Sequence, residues 1–447
     1  MLELDDPLLP AAVHLVGDDA HDVVGSVLAA AGGRLVSLDA AQVAYRPGRE
    51  MVVQYRAAVA WSDGRETTEL ILAGATPDGA PAGTVTVRAD DGGTALEVGV
   101  WRYPFDPELP GLAGAVDASR VARLLGATTA PALDVVSYRP CRRAVIRAEW
   151  LDDTGAAVPV YVKVVPPSRT ASIVRRHEVL RTAGIPAPEV VAHDADLGLV
   201  ALSALPGRDL RDQLVAGGPL PDPAELVSLV DRIAEVTVDL DVADGRHTGR
   251  SRADLLAAAP KHAAALAHLL PGLSERLGHL VARLSDVPRR PATDTIHGDL
   301  HEAQVRVDAV GSIVGLLDVD DLGPGDRLDD LARCTGHLIA LACLNRRAGV
   351  DDAVVARCDA YAARAFQEVR DRHGVAGTAR VTAALVGLAT VPFRLQGGAW
   401  RDDTVALLDL ADTCLADSCL ADTCLADTCL GHTHLGPADE KNLIARS

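Results

Sequence analysis

Between residues 296 and 332 the chain carries two acid-bearing segments whose spacing leaves few folds open. The first is Ile296-His-Gly-Asp-Leu-His-Glu-Ala-Gln-Val305. The second is Gly315-Leu-Leu-Asp-Val-Asp-Asp-Leu-Gly-Pro-Gly-Asp-Arg-Leu-Asp-Asp-Leu-Ala332. Gly298 lets the backbone turn sharply just before Asp299. Gln304 lies five residues further on, and Asp318 closes a short apolar strand predicted over 312–317. Fourteen residues separate Gln304 from Asp318, enough for a β-hairpin that brings both side chains together. One carboxylate and one amide oxygen on such a hairpin make a hard-oxygen site suited to Mg²⁺, an ion that takes its remaining ligands from water and substrate phosphates. Asp299 is not needed for the metal and is placed to receive a hydroxyl proton.

The chain has only three lysines, Lys163, Lys261 and Lys441, among 43 basic residues. A lysine kept where arginine is the default therefore draws notice. Lys163 sits inside a predicted strand, Val160-Tyr-Val-Lys-Val164, and the predicted helix that follows, 168–183, contains a single acid, Glu178. The other reading of Lys163 is a strand lysine that extends its stem to reach solvent.

Upstream, 1–125 reads as a small α+β domain with strands over 43–55, 68–73, 85–88 and 95–101 and a helix over 119–125. Tyr45-Arg-Pro-Gly-Arg49 returns as Tyr138-Arg-Pro-Cys-Arg142, and a strand, turn and strand follow each copy. The match suggests an internal duplication or a shared structural device. Residues 126–205 form a second β-rich region. Beyond it, 206–410 is helical apart from the two motif segments, with apolar residues at three-to-four spacing. Residues 411–447 form a repetitive tail.

These motifs resemble the aminoglycoside phosphotransferase/choline kinase superfamily, whose pattern is His-Gly-Asp-x-His-x-x-Asn followed by a strand and an Asp. The resemblance covers roughly residues 130–400. It implies an α+β, protein-kinase-like fold of two lobes, an antiparallel-sheet N-lobe and a mostly helical C-lobe, preceded by the small β-rich domain. It implies an ATP- and Mg-dependent enzyme that moves the γ-phosphoryl group to a hydroxyl of a small molecule: a sugar, amino sugar or aminoglycoside. By the resemblance Asp299 is the base, Gln304 and Asp318 hold Mg²⁺, and Lys163 with Glu178 holds the ATP phosphates. Gln304 stands where the superfamily usually has Asn, as it does in the maltokinase branch, whose N-terminal cap domain residues 1–125 also resemble.

The turn 138–143 lies where kinases place a glycine-rich phosphate loop, but it has no glycine. Arg139, Arg142 and Arg143 touch phosphate by side chain, with Arg142 the chosen contact, or form an ordinary basic turn. His297 and His301 are expected to hold the catalytic loop by hydrogen bonds. Asp320 and Asp321 read as solvated loop acids, and Asp326 and Asp330 as helix caps. The alternative to an enzyme is a non-catalytic nucleotide-binding pseudokinase or regulatory protein, for which the missing glycines and the Gln speak.

A net charge of −19 argues against nucleic acid and anionic lipid as partners. The first residues lack a signal-peptide pattern, and the longer apolar stretches are interrupted short of the ~18 residues of a membrane helix, so a cytoplasmic protein is expected. In the tail, Ala-Asp-Thr-Cys-Leu recurs with a period of five over 411–430. It reads as slippage in a repetitive gene lengthening a helix, against metal binding by Cys414, Cys419, Cys424, Cys429, His432 and His434.

Overall fold

The computed structural model describes residues 6–91, 94–151, 156–237 and 254–416. Its first half is one pattern laid down twice. The first unit begins with Asp6-Pro-Leu-Leu-Pro10 and two helices, α1 (Ala12–Val16) and α2 (Ala20–Ala30). Five antiparallel strands follow: β1 (Gly33–Arg46), β2 (Glu50–Trp61), β3 (Glu66–Ala75), β4 (Val85–Asp91) and β5 (Thr94–Arg102), in the order β1-β2-β3-β5-β4. The second begins with Asp106-Pro-Glu-Leu-Pro110 and two helices, α3 (Leu112–Ala115) and α4 (Ala118–Leu125). Its strands are β6 (Ala132–Arg139), β7 (Arg143–Leu151) and β8 (Ala157–Val164), then, after helix α5 (Thr170–Thr182), β9 (Val190–Asp194) and β10 (Leu199–Ser203). Their order is β6-β7-β8-β10-β9, the same topology.

Each unit closes its first hairpin with one device. In Tyr-Arg-Pro-x-Arg the residue after proline takes a left-handed conformation, Gly48 at φ 65° and Cys141 at φ 57°. A bond from the amide of Arg49 to the carbonyl of Arg46, and its copy from Arg142 to Arg139, completes the turn. A buried aspartate locks it. Asp6 Oδ2 accepts from the Tyr45 hydroxyl at 2.8 Å and from the Gly48 amide at 2.7 Å. Asp106 Oδ2 accepts from the Tyr138 hydroxyl at 2.7 Å and from the Cys141 amide at 2.8 Å.

This repeat explains what lies near residue 125. Leu109, Leu112, Ala115 and Val121 pack with Ala144, Ile146, Val160 and Val162 of the second sheet. The first domain expected over 1–125 would include them; we propose a boundary at 103–105. The strand predicted over 43–55 is two strands folded at Pro47-Gly48.

The C-terminal region carries the helices α6 (Leu210–Ala216), α7 (Pro223–Ala234), α8 (Leu255–Leu269) and α9 (Ser274–Ser285), with a two-residue strand, β11 (Arg208–Asp209), ahead of α6. Four short strands follow: β12 (Asp294–Ile296), β13 (Val305–Val307), β14 (Ile313–Leu316) and β15 (Gly323–Gly325). Then come α10 (Arg327–Arg347), α11 (Asp352–Leu388), α12 (Val391–Leu395) and α13 (Trp400–Ala416). α11 breaks at Gly374, which takes a non-helical φ of 52° and ψ of −138°. The fold is the expected α+β arrangement, an antiparallel-sheet lobe against a helical lobe, preceded by a β-rich unit.

The segment Asp352–Leu395 is long and apolar enough to cross a membrane, which the reading did not expect, but 61% of its most apolar window is buried. Its residues, among them Tyr361, Phe366 and Leu385, share one core with α10 and α13. In the first copy of the tail repeat, Ala411, Cys414 and Leu415 are buried in that core. The repeat from 417 on, with Cys419, Cys424, Cys429, His432 and His434, lies outside the described residues.

The first unit touches both lobes. One face of its sheet buries Val53, Tyr55 and Ala73 under α1 and α2 and reaches Leu269, Phe393 and Trp400 of the helical lobe. The other face packs Val52, Leu72 and Trp101 on Tyr138 and Cys141, the hairpin turn of the second unit.

Candidate active site

The loop that bears Asp299 is held from below by α10. Asp330 is fully buried and accepts from the amides of His297 at 2.5 Å and Gly298 at 2.9 Å. It was expected to cap α10; the cap is Asp326, which accepts from the Leu328 amide at 3.1 Å. Gly298 has φ 86°, and a Cβ there would lie 2.6 Å from the Asp321 carbonyl, so only glycine fits. His297 Nε2 contacts the Leu317 carbonyl at 2.9 Å, tying the Asp299 loop to the segment that presents Asp318. His301 contacts Gln304 through Nε2 at 3.0 Å. Both histidines therefore brace the loop, as the sequence indicated.

Asp318 lies two residues past the end of β14 at φ 53°, a conformation costly for an aspartate and of the kind kept where function needs it. Its Oδ1 lies 2.7 Å from Lys163 Nζ, and its Oδ2 lies 2.6 Å from Arg143 Nη1 and 3.4 Å from the Gln304 amide. Burial alone would raise the Asp318 pKa, but Lys163 and Arg143 hold it well below the usual carboxylate range. Burial would in turn lower the Lys163 pKa, and the Asp318 and Asp320 charges outweigh it and raise the ammonium above its ordinary value. Asp320 is not a solvated loop acid. It is 3% exposed, and its Oδ1 accepts from Lys163 at 2.7 Å while Oδ2 has no partner among the described residues.

Lys163, Asp299, Gln304 and Asp318 thus gather where the lobes meet. Glu178 does not join them. It is exposed on the outer side of α5, in a groove of about 650 Å³ with Val174, His193 and Val236. The inner side of α5 carries Ile173, Arg176, His177 and Leu180. His177 is lowered to about 4 by burial, with the Lys163 charge adding to the effect. The carboxylate partners of Lys163 come from Asp318 and Asp320 instead. Arg142 is exposed at the turn; its neighbour Arg143, one residue along and on the inward face of β7, makes the contact.

Two further residues carry no motif. Arg333 on α10 brings Nη1 to 3.9 Å from Asp299 Oδ1. Arg394 on α12 is among the charges acting on Arg139, and Asp299 and Arg143 act on it. Neither had a sequence signal, since 40 or so arginines in one chain hide any single one. Behind the loop, His301 stacks on His337 at 4.6 Å between ring centres. Glu302, fully buried, accepts from Arg211 at 2.9 Å. Burial pushes Glu302 up, but the Arg211 charge and its hydrogen bond prevail and hold it at about 2.

An antiparallel-sheet lobe bearing a buried lysine, set against a helical lobe bearing two carboxylates and an amide on short loops, defines a kinase-like phosphotransferase. The sequence model of the phosphotransferase enzyme family (APH) matches residues 138–375, just over half of the chain. The chain belongs to that family. No curated protein matches it. Among solved structures, it is similar to the GDP and kanamycin complex of APH(2")-IIia, at 15% identity and a TM-score of 0.44, over 66% of this chain and 97% of that one. It is similar to aminoglycoside phosphotransferase APH(3'')-Id from Streptomyces rimosus, at 20% identity and a TM-score of 0.38, over 60% and 93%. A third is macrolide 2'-phosphotransferase MphH from Brachybacterium faecium, at 19% identity and a TM-score of 0.37, over 62% and 91%.

Proposed function

We propose that the chain transfers the γ-phosphoryl group of ATP, with Mg²⁺, to a hydroxyl of a small polyhydroxylated molecule of the sugar class. The observation that carries this is Asp318. It sits in a strained backbone conformation, gripped by Lys163 and Arg143 and beside Gln304, on a segment bonded through His297 to the Asp299 loop.

In this reading Lys163 and Arg143 exchange the carboxylates they now hold for the phosphates of ATP. Arg139 supports them from the same turn. The residues fit a Mg²⁺ ion: Asp318, Asp320 with its unpartnered Oδ2 and the amide of Gln304 are hard oxygen donors on adjacent loops. Mg²⁺ bound there offsets the negative charge of the phosphates. The oxygen and nitrogen of the Gln304 amide exchange by rotation about its last bond, so the residue can offer oxygen to the ion. Asp299 orients the acceptor hydroxyl and receives its proton, and positioning plus charge neutralisation supply the rate.

An ATP-consumption screen over sugars, amino sugars, aminoglycosides and amino alcohols finds the acceptor. Asp299→Asn then keeps Mg-ATP affinity and loses transfer by roughly 10²–10⁴. Transfer near the wild-type rate removes Asp299 from the chemistry. The outward position of Glu178 favours the non-catalytic nucleotide-binding reading, and Mg-ATP binding with no turnover on any acceptor would establish it.

A further inference from the structure

Two arginines, Arg394 and Arg333, keep buried guanidinium nitrogens without acceptors among the described residues. Arg394 has two fully buried nitrogens, Nε and Nη2, with no hydrogen-bond acceptor among the described residues. Arg333 has a buried Nε in the same state, while its Nη1 lies 3.9 Å from Asp299. Arg139 and Arg143 face each other where β6 and β7 meet at their turn, and Arg394 and Arg143 act on the Arg139 charge. Carboxylates are few beside these cations: Asp318 and Asp320 are already held by Lys163, Asp318 by Arg143 as well, and Asp299 is half-exposed. Buried guanidinium N–H groups left without acceptors are costly, and like charges brought together under burial add to the cost. Burial accordingly lowers the Arg394 and Arg139 pKa values, the latter to about 10. In a chain of net charge −19, such a cluster of cations is a local construction.

Arg394 is also held in place. Its neighbour Phe393 is buried in the core of the first unit and meets Trp400 edge-on at 5.2 Å. α12 packs on β1 of that unit. The N-terminal unit therefore fixes the helix that delivers Arg394 to the cleft.

We propose that Arg394, with Arg333, forms an anion-binding subsite beside Asp299 that receives an anionic oxygen group on the acceptor side of the transfer. The inference rests on the phosphotransferase reading above and refines its acceptor side. Two sources share this chemistry: the phosphoryl group in flight, and a phosphate or carboxylate carried by the acceptor next to its reacting hydroxyl. A guanidinium donates several N–H bonds in one plane and suits either. A cationic amino group at the same place would meet Arg394 and Arg333 with like charge.

The test uses the full chain, wild type against Arg394→Gln and Arg394→Lys, with thermal melting to verify folding. Inorganic phosphate is first titrated by calorimetry without nucleotide. Wild type binds it, Arg394→Gln binds at least tenfold more weakly, and Arg394→Lys falls between. Equal phosphate affinity in all three folded proteins overturns the subsite, whatever the protein does with ATP. Orthovanadate with Mg-ADP, and glucose against glucose 6-phosphate as competitors, then separate the sources. A tenfold loss of vanadate affinity in Arg394→Gln, with Mg-ADP affinity kept, assigns the site to the transferred group. A loss confined to glucose 6-phosphate assigns it to the acceptor. Absence of Mg-ADP binding in wild type would defeat the phosphotransferase reading while leaving the phosphate titration to judge Arg394.

Discussion

The two five-stranded sheets share strand order, turn geometry and the aspartate that locks the turn, yet only one of them carries a buried lysine. Aligned on Tyr45 and Tyr138, they differ at one decisive place. In the second sheet Val145 pairs with Lys163, and in the first the equivalent Val52 pairs with Gly74. A Cβ at Gly74 would meet the Met51 carbonyl at 3.2 Å and the Trp101 ring at 3.3 Å. The first sheet has thus closed the equivalent face with an indole, and that face carries the turn of the second sheet. A scaffold that in one copy presents a buried ammonium serves in the other as a rigid cover. The cover rests on the turn that bears Arg139 and Arg143. A loop that other kinases build from glycine is here stiffened by proline, a buried aspartate and apolar packing.

The sharpest way to break this contrast is to remove the lysine. Lys163→Met leaves Asp318 and Asp320 buried without their shared cation. Transfer should fall below detection, and denaturant unfolding should show a loss of about 3–5 kcal/mol. Glu178→Gln should change transfer by less than about threefold, as expected of a solvated surface residue. If Glu178→Gln matched Lys163→Met, the outward placement of Glu178 would be wrong for the working enzyme.

A middle-sized effect separates the two locks. Asp6→Ala and Asp106→Ala each strip a half-buried tyrosine hydroxyl and a backbone amide of their acceptor, costing roughly 1–3 kcal/mol in chemical denaturation. Only Asp106→Ala should also weaken Mg-ATP binding, because only its turn carries the arginines of the site. Equal nucleotide affinity in the two variants would mean that the turn does not position phosphate.

The smallest effect lies behind the catalytic loop, in a layer the first unit lacks. Burial lowers the His337 pKa to about 3. Unfolded, the same imidazole takes up a proton near pH 6.5, so the unfolded state binds more protons between these values. Stability from this group is therefore full above about pH 6.5 and is lost as pH falls toward 3. His337→Phe should be close to wild type at pH 8 and gain on it by about 1 kcal/mol at pH 5.5 in parallel melts. No narrowing of the gap at acid pH would show that His337 is not buried neutral.

The motif residues were legible because their chemistry demands particular types at particular spacings: Asp299, Gln304, Asp318 and Lys163 meet as the pattern implies. Glu178 was not, since the helix could be predicted but not its rotation. The inner face holds Arg176 and His177, polar residues that a count of acids passes over. Arg142 and Arg143 are hard to tell apart in sequence for a similar reason: strand alternation begins at the turn, and one residue decides the face. Asp320 looked like a surface acid until Lys163 was found between it and Asp318. The first-unit helix α2 had a signal, Ala20, Val24 and Leu28 on one buried stripe, hidden behind the strand pattern that follows. The paired Asp-Pro-x-Leu-Pro segments were equally visible and extend the repeat beyond the hairpins. Arg394 was not legible, because only the fold brings α12 to Asp299.

The claim that one sheet works and its copy covers is tested most directly by the stoichiometry of Mg-ATP binding. Calorimetric titration of the full chain should give one Mg-ATP per chain, with binding lost in Lys163→Met and unchanged in Gly74→Ala wherever that variant folds. Two nucleotides per chain, or one that survives the loss of Lys163, would contradict the account.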